Sequence, residues 1–110
     1  MKRRDLVDIL KTTGIPVAYY QWEETDDKGP DLPYLVYYFP SAEPEAADDR
    51  VWAQIMRLNV ELYTDTKDFE TEALVDALMS KIGVFTKEET YINDEHMYEV
   101  LYMTEVLIDG

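Results

Sequence analysis

The chain has 110 residues, with 24 acidic against ten basic and a formal net charge of −14. That is one domain's length, and so negative a surface repels phosphate backbones, which disfavours ordinary nucleic-acid binding. Cysteine is absent, which excludes a disulfide framework and any thiolate metal or redox site, and no apolar run approaches the ~20 residues of a membrane span.

With 46% hydrophobic and 13% aromatic residues, the sequence has the material for a folded core. The excess of acid has two explanations: a soluble, self-repelling surface, or an acidic face that meets a basic partner or a basic patch on a neighbouring copy.

The first ten residues, MKRRDLVDIL, are charged and then amphipathic, with no small-residue cleavage site, and read as a helix rather than a signal peptide. Leu6 and Leu10 stand four apart with Val7 and Ile9 beside them, which predicts a helix over residues 3–13. Gly14 then suits a left-handed cap and Pro16 prevents continuation. Lys2, Arg3 and Arg4 fall at the positive end of the helix dipole, where cations are slightly unfavourable. They are either a solvated terminus or a contact for an acidic surface.

Residues 17–23 alternate aromatic and β-branched side chains and predict a strand. Residues 24–33 carry Asp26, Asp27, Gly29, Pro30, Asp31 and Pro33, and a turn near Lys28 and Gly29 would return the chain as a hairpin. The run YLVYYF over residues 34–39 predicts a strand covered on both faces, ended by Pro40. Residues 41–50, SAEPEAADDR, form an acidic connection, which is either mobile or a binding arm.

The longest period-two pattern is VWAQIMRLNVELYT, residues 51–64. Trp52, Met56, Leu58, Val60 and Leu62 share one face with Gln54, and Ile55, Arg57, Asn59, Glu61 and Tyr63 share the other. Fourteen residues of strand span about 46 Å, so one end is expected to project beyond the sheet or to bend at a bulge.

Asp68 is a good N-cap, with Glu70 and Glu72 in the first turn of a helix over residues 69–82. Its predicted buried stripe is Leu74, Leu78 and Ile82, flanked by Val75 and Met79, with Lys81 in the last turn and Gly83 at the C-cap. Residues 84–92 are polar in the middle and suit an edge strand. NDEH, residues 93–96, is a turn. Residues 97–108 predict a strand apolar on both faces: Val100, Tyr102, Val106 and Ile108 on one, Met97, Leu101, Met103 and Leu107 on the other. Such a strand is central, or its second face meets another subunit.

The element order is therefore α-β-β-β-α-β-β. The expected fold is a single α+β domain over residues 1–110, with two helices on one face of a sheet of about four to five strands, antiparallel or else mixed. The sequence holds nine tyrosines and two tryptophans, and Tyr19, Tyr37 and Met103 are candidates for an apolar patch opposite the helices.

Chemistry is harder to find. His96, the single histidine, sits in a turn beside Asp94 and Glu95 with no nucleophile attached. The four glycines form no phosphate loop. Asp65, Asp68, Glu70 and Glu72 come nearest to a hard-cation cluster but lack the spacing of a calcium loop. No catalytic residue, metal or cofactor is expected.

Four stretches carry a family resemblance: TGIPVAYYQWEE; LPYLVYYFPSAE followed by AADDRVWA; RLNVELYTDTKD; and MYEVLYMTEVLIDG. Together they resemble small proteins encoded in prophages of Gram-positive bacteria, similar to the tail-terminator, tail-completion or head–tail joining proteins of long-tailed phages. The resemblance covers almost the whole chain, and its motifs are structural rather than catalytic. It implies a non-enzymatic α+β subunit that assembles with copies of itself, often as a hexameric ring, and docks to tail-tube or head–tail connector proteins. It also implies residence in the bacterial host cytoplasm during assembly and in the virion tail or neck afterwards, with no membrane and no direct nucleic-acid contact.

Under that resemblance the acidic segment with Glu43, Glu45, Asp48, Asp49 and Arg50 matches an extended loop that reaches a neighbouring copy or the tail tube. Leu101 and Met103, on the two-faced last strand, would lie at a subunit contact. Lys2, Arg3 and Arg4 against an acidic neighbour would give a heterologous, ring-forming contact. Two other function classes remain open at this point. One is an acidic inhibitor or DNA-mimic decoy for a basic host protein. The other is a small hydrolase, which requires two or three acids converging in one cleft with perturbed pKa values.

Overall fold

The computed structural model of the protein describes residues 1–20, 31–40 and 53–109. The elements are α1 (Arg3–Lys11), β1 (Val17–Tyr19), β2 (Tyr34–Tyr38), β3 (Ala53–Thr64), α2 (Phe69–Ile82), β4 (Phe85–Ile92) and β5 (Met97–Asp109). The five strands form one mixed sheet in the order β1-β2-β3-β5-β4. Both helices pack on the same face, so the protein is a single α+β domain.

Helix α1 buries Leu6 and Leu10 completely. At its start the Asp5 carboxylate accepts a hydrogen bond from the Lys2 backbone N–H at 3.1 Å. It ends before the two threonines expected to continue it. The hydroxyls of Thr12 and Thr13 donate to the carbonyls of Ile9 and Leu10, at 2.6 and 3.1 Å, so these side chains bond back to the last turn. Gly14 follows at φ 77, the left-handed conformation a side chain disfavours.

Strand β1 is short because Tyr20 leaves the extended conformation, with φ 67. Its pairing corrects the expected hairpin. β1 runs parallel to β2, with Val17 beside Leu35 and Tyr19 beside Tyr37. A tight turn joins only antiparallel neighbours, so a parallel pair requires a crossover instead. The register is extended by bonds from Leu35 N–H to the Pro16 carbonyl and from Tyr20 N–H to the Tyr37 carbonyl, at 2.8 and 2.7 Å. Residues 21–23, assigned to this strand from the sequence, lie outside the described residues.

β3 and β5 form the spine of the sheet. They pair without interruption from Ala53 opposite Asp109 to Thr64 opposite Tyr98. β2 covers only Asn59 to Tyr63 of β3, and β4 reaches only Thr104 of β5. The far end therefore projects as a two-stranded ribbon, and the continuous register accounts for the length of β3 without a bulge.

The core lies between this spine and the helices. Met56, Leu58, Val60 and Leu62 from β3 meet Val100, Tyr102, Val106 and Ile108 from β5, with Leu35 from β2. Helix α2 occupies the predicted residues and is capped as expected: the Asp68 carboxylate accepts from Thr71 N–H at 3.0 Å and from the Thr71 hydroxyl at 2.6 Å. Its buried face differs from the expected stripe. Glu72, Val75, Leu78 and Met79 point inward, whereas Leu74 is 56% exposed. Glu72 takes the inward position because a polar partner set, described below, awaits it on the sheet.

The expected outer face of the aromatic residues also needs correction. Tyr37 stands opposite Val60 and packs against the core, and parallel pairing puts Tyr19 on that same helix side. Met103, opposite Asn59, does lie on the other face.

Candidate interface on the open sheet face

Strand registers fix which side chains share the face that neither helix covers. One row across the sheet holds Thr90, Glu99, Tyr63 and Tyr34; the next holds Glu88, Leu101, Glu61 and Val36; a third holds Thr86, Met103, Asn59 and Tyr38. Beyond β2 and β4, on the projecting ribbon, follow Glu105 beside Arg57 and Leu107 beside Ile55. The centre is thus apolar, with Leu101 and Met103 half-buried on adjacent rows. Carboxylates surround it at Glu61, Glu88, Glu99 and Glu105. Ile55 and Leu107, 53% and 54% exposed, extend the apolar strip along the ribbon.

An open groove of about 650 Å³ crosses this face, with Arg57, Asn59 and Met103 on its floor and Pro40 and Val84 at its ends. Among the described residues Arg57 forms no ion pair, although Glu105 is its cross-strand neighbour.

Beside the apolar centre lies a compact polar group. The Tyr63 hydroxyl donates to Glu99 Oε2 at 2.8 Å. Burial pushes the Glu61 carboxyl up to about 7, helped by the Glu99 charge and by a hydrogen bond the two carboxyls share. Burial and the hydrogen bond to Glu99 raise the Tyr63 phenol well above its ordinary value. Tyr34 is raised by burial and then by the charges of Glu95 and Glu61. This face therefore holds a proton near neutral pH that an isolated glutamate would have released. Alternation in the sequence puts Glu61 and Tyr63 on one face of β3. It does not reveal that Glu99 arrives beside them, because that depends on the β3–β5 register.

A second set of carboxylates gathers around lysines. Glu72, nearly buried on α2, accepts from Lys67 at 2.6 Å and from Lys87 at 2.5 Å. Burial works against its charge, yet the two lysines outweigh it and hold Glu72 below the usual carboxylate range. Lys87 also reaches Asp76 at 3.0 Å, and Asp76 accepts from the buried Tyr102 hydroxyl at 2.6 Å. Lys67 pairs in addition with Glu89. This network ties α2 to the edge strand β4 and fills the polar end of the core. It lies on the helix side, away from the open face.

The basic residues at the start of α1 are all exposed. Arg3 lies over the Phe39 ring, 5.6 Å from its centroid, and Tyr19 packs against Phe39 and Tyr37 with ring centroids 6.3 and 5.1 Å away. Tyr19 and Tyr20 are 53% and 64% exposed beside them. Lys2, Arg3 and Arg4 form no ion pair with another described residue. The chain thus carries a basic, aromatic patch at one end of the sheet and an apolar centre with an acidic rim on its open face.

Of the interface residues expected from sequence, Leu101 and Met103 fall in the middle of the open face, and Lys2, Arg3 and Arg4 form the basic patch. Glu43, Glu45, Asp48, Asp49 and Arg50 lie outside the described residues. His96 occupies the β4–β5 turn with φ 52 and is exposed. Among the described residues no cluster of acids and histidine is arranged to hold a metal ion, and no helix is long and apolar enough to cross a membrane. Compared with known proteins, the chain matches no family model and no curated sequence. What fold and surface define is an α+β domain with one helix-covered sheet face and one open face.

Proposed function

We propose that the protein is a non-enzymatic structural component of a phage tail or head–tail junction, which assembles with copies of itself, as a ring, and docks to tail-tube or neck proteins. The observation that carries this reading is the open sheet face. An apolar centre inside a polar rim is how the buried part of a protein interface is composed. Among the described residues, neither helix covers that centre on the two-faced central strand.

The second support is that the basic patch and the acidic rim lie on different parts of the surface. Patches that complement each other across two copies, rather than each meeting its own image, make a heterologous contact, the kind that builds a ring where the rotation between copies closes and a filament where it does not. The third is the whole-chain resemblance to tail-terminator and head–tail joining proteins, whose role is assembly.

The test is electron microscopy of tubes built from the cognate tail-tube protein, with and without this chain. The proposal expects added ring-shaped density at one end of the tube. Tubes left bare at both ends, at saturating protein, would reject the tail-end role.

A further inference from the structure

The self-assembly reading leaves open which surface meets which, and the charge layout answers that. The chain has ten basic residues against 24 acidic ones, and among the described residues carboxylates hold two of the ten. Lys67 and Lys87 are both held by carboxylates of α2 and β4. The basic first turn of α1 is the place where three cations stand together without an ion pair among the described residues. They are joined there by exposed aromatic surface at Tyr19 and Tyr20.

The open face offers the converse: carboxylates at Glu61, Glu88, Glu99 and Glu105 around Leu101 and Met103, with Arg57 the one cation among the described residues there. Like charges oppose contact between two copies of the same open face, because each would bring the same acidic rim to the other. The basic patch has no such conflict. An arginine arriving at the rim forms charge-assisted bonds to carboxylates, and a tyrosine ring beside it covers apolar area.

We infer that the open face is the seat for the α1 end of a neighbouring copy, with Lys2, Arg3 and Arg4 against the acidic rim and the adjoining tyrosines over Leu101 and Met103. The inference rests on the self-assembly reading and specifies its contact. It makes the contact head-to-tail, so each copy gives its α1 end to one neighbour and its open face to another.

The test is a charge exchange, read as solution mass by light scattering. One variant carries Arg3→Glu and Arg4→Glu; a second carries Glu88→Lys and Glu105→Lys. All four sites are exposed, which spares the core. A control, Lys11→Glu with Lys81→Glu, makes the same change in net charge as the first variant, and a change of equal size and opposite sign to the second, at exposed sites elsewhere.

The expected result is that each patch variant alone loses association by more than roughly tenfold, while the control stays near wild type. An equal mixture of the two patch variants regains mass, because the reversed charges then match across both kinds of contact. Regained mass also shows that both variants are folded. Wild-type mass in either patch variant, a loss of mass in the control equal to theirs, or a mixture that stays monomeric overturns the inference while leaving self-assembly standing. A wild-type chain that is itself monomeric throughout removes the self-assembly reading, and this contact with it.

Discussion

Replacing Glu61 by glutamine isolates the energetic cost of placing two carboxyls side by side on the open face. In the folded chain Glu61 holds its proton up to about pH 7, through burial first and Glu99 second, against an ordinary value of 4.5. Between those values the native state binds a proton that the unfolded chain has released. Stability from this group is therefore fully present below about pH 4.5, falls as pH rises towards 7, and is level above that. The full difference corresponds to about 3 kcal/mol at 1.36 kcal/mol per pH unit. Glu61 is half-exposed, so solvent screening reduces the effective figure to about 1–2 kcal/mol. Glutamine keeps the size and a hydrogen bond to Glu99 without the second charge. Urea unfolding of wild type and Glu61→Gln is the assay, run at pH 5 and pH 8. The variant is expected to be more stable by about 1–2 kcal/mol at pH 8 and to match wild type within about 0.5 kcal/mol at pH 5. An equal effect at both pH values, or a variant less stable at pH 8, would refute the reasoning.

Other substitutions test the core and the helix face by the same unfolding assay. Leu62, fully buried near the C-terminal end of β3, should cost about 3–4 kcal/mol as Leu62→Ala. Leu78→Ala should cost about 2–4 kcal/mol, whereas Leu74→Ala, at an exposed site, should stay within about 0.5 kcal/mol; comparable losses would restore the stripe read from sequence. Glu72→Ala strands two lysines and should cost about 1–2 kcal/mol at pH 7, limited by the solvent that reaches both lysines. Because Glu72 is held below the usual carboxylate range, that stabilisation is present above about pH 4.5 and should disappear as pH falls through the lowered value.

Much of the fold was legible because periodicity speaks to one element at a time. The inward face of β3, from Met56 to Leu62, followed from alternation alone, and α2 followed from its cap and its spacing. What failed depended on partners. The turn-forming residues between β1 and β2 suggested a hairpin, but the direction of β1 is set by its pairing with β2, which no local pattern encodes. Leu74 has the right spacing for a core stripe, yet Lys67 and Lys87 draw Glu72 inward and rotate the buried face of α2 towards Val75 and Met79. Tyr19 and Tyr37 were misplaced for the same reason as the hairpin, since their face depends on strand register.

The candidate interface divides along the same line. Leu101 and Met103 were readable because β5 is apolar on both faces, and Lys2, Arg3 and Arg4 because they are consecutive. The Glu61–Glu99–Tyr63 group was not, because its members come from two strands 36 residues apart along the chain at the Tyr63–Glu99 bond.

The most direct measurement for the assembly role is solution mass by light scattering over a concentration series, at low and moderate salt. The account predicts a closed oligomer of fixed mass, a hexamer being the form the family resemblance implies, reached over a defined range of concentration. A chain that remains monomeric at every concentration and salt would contradict it.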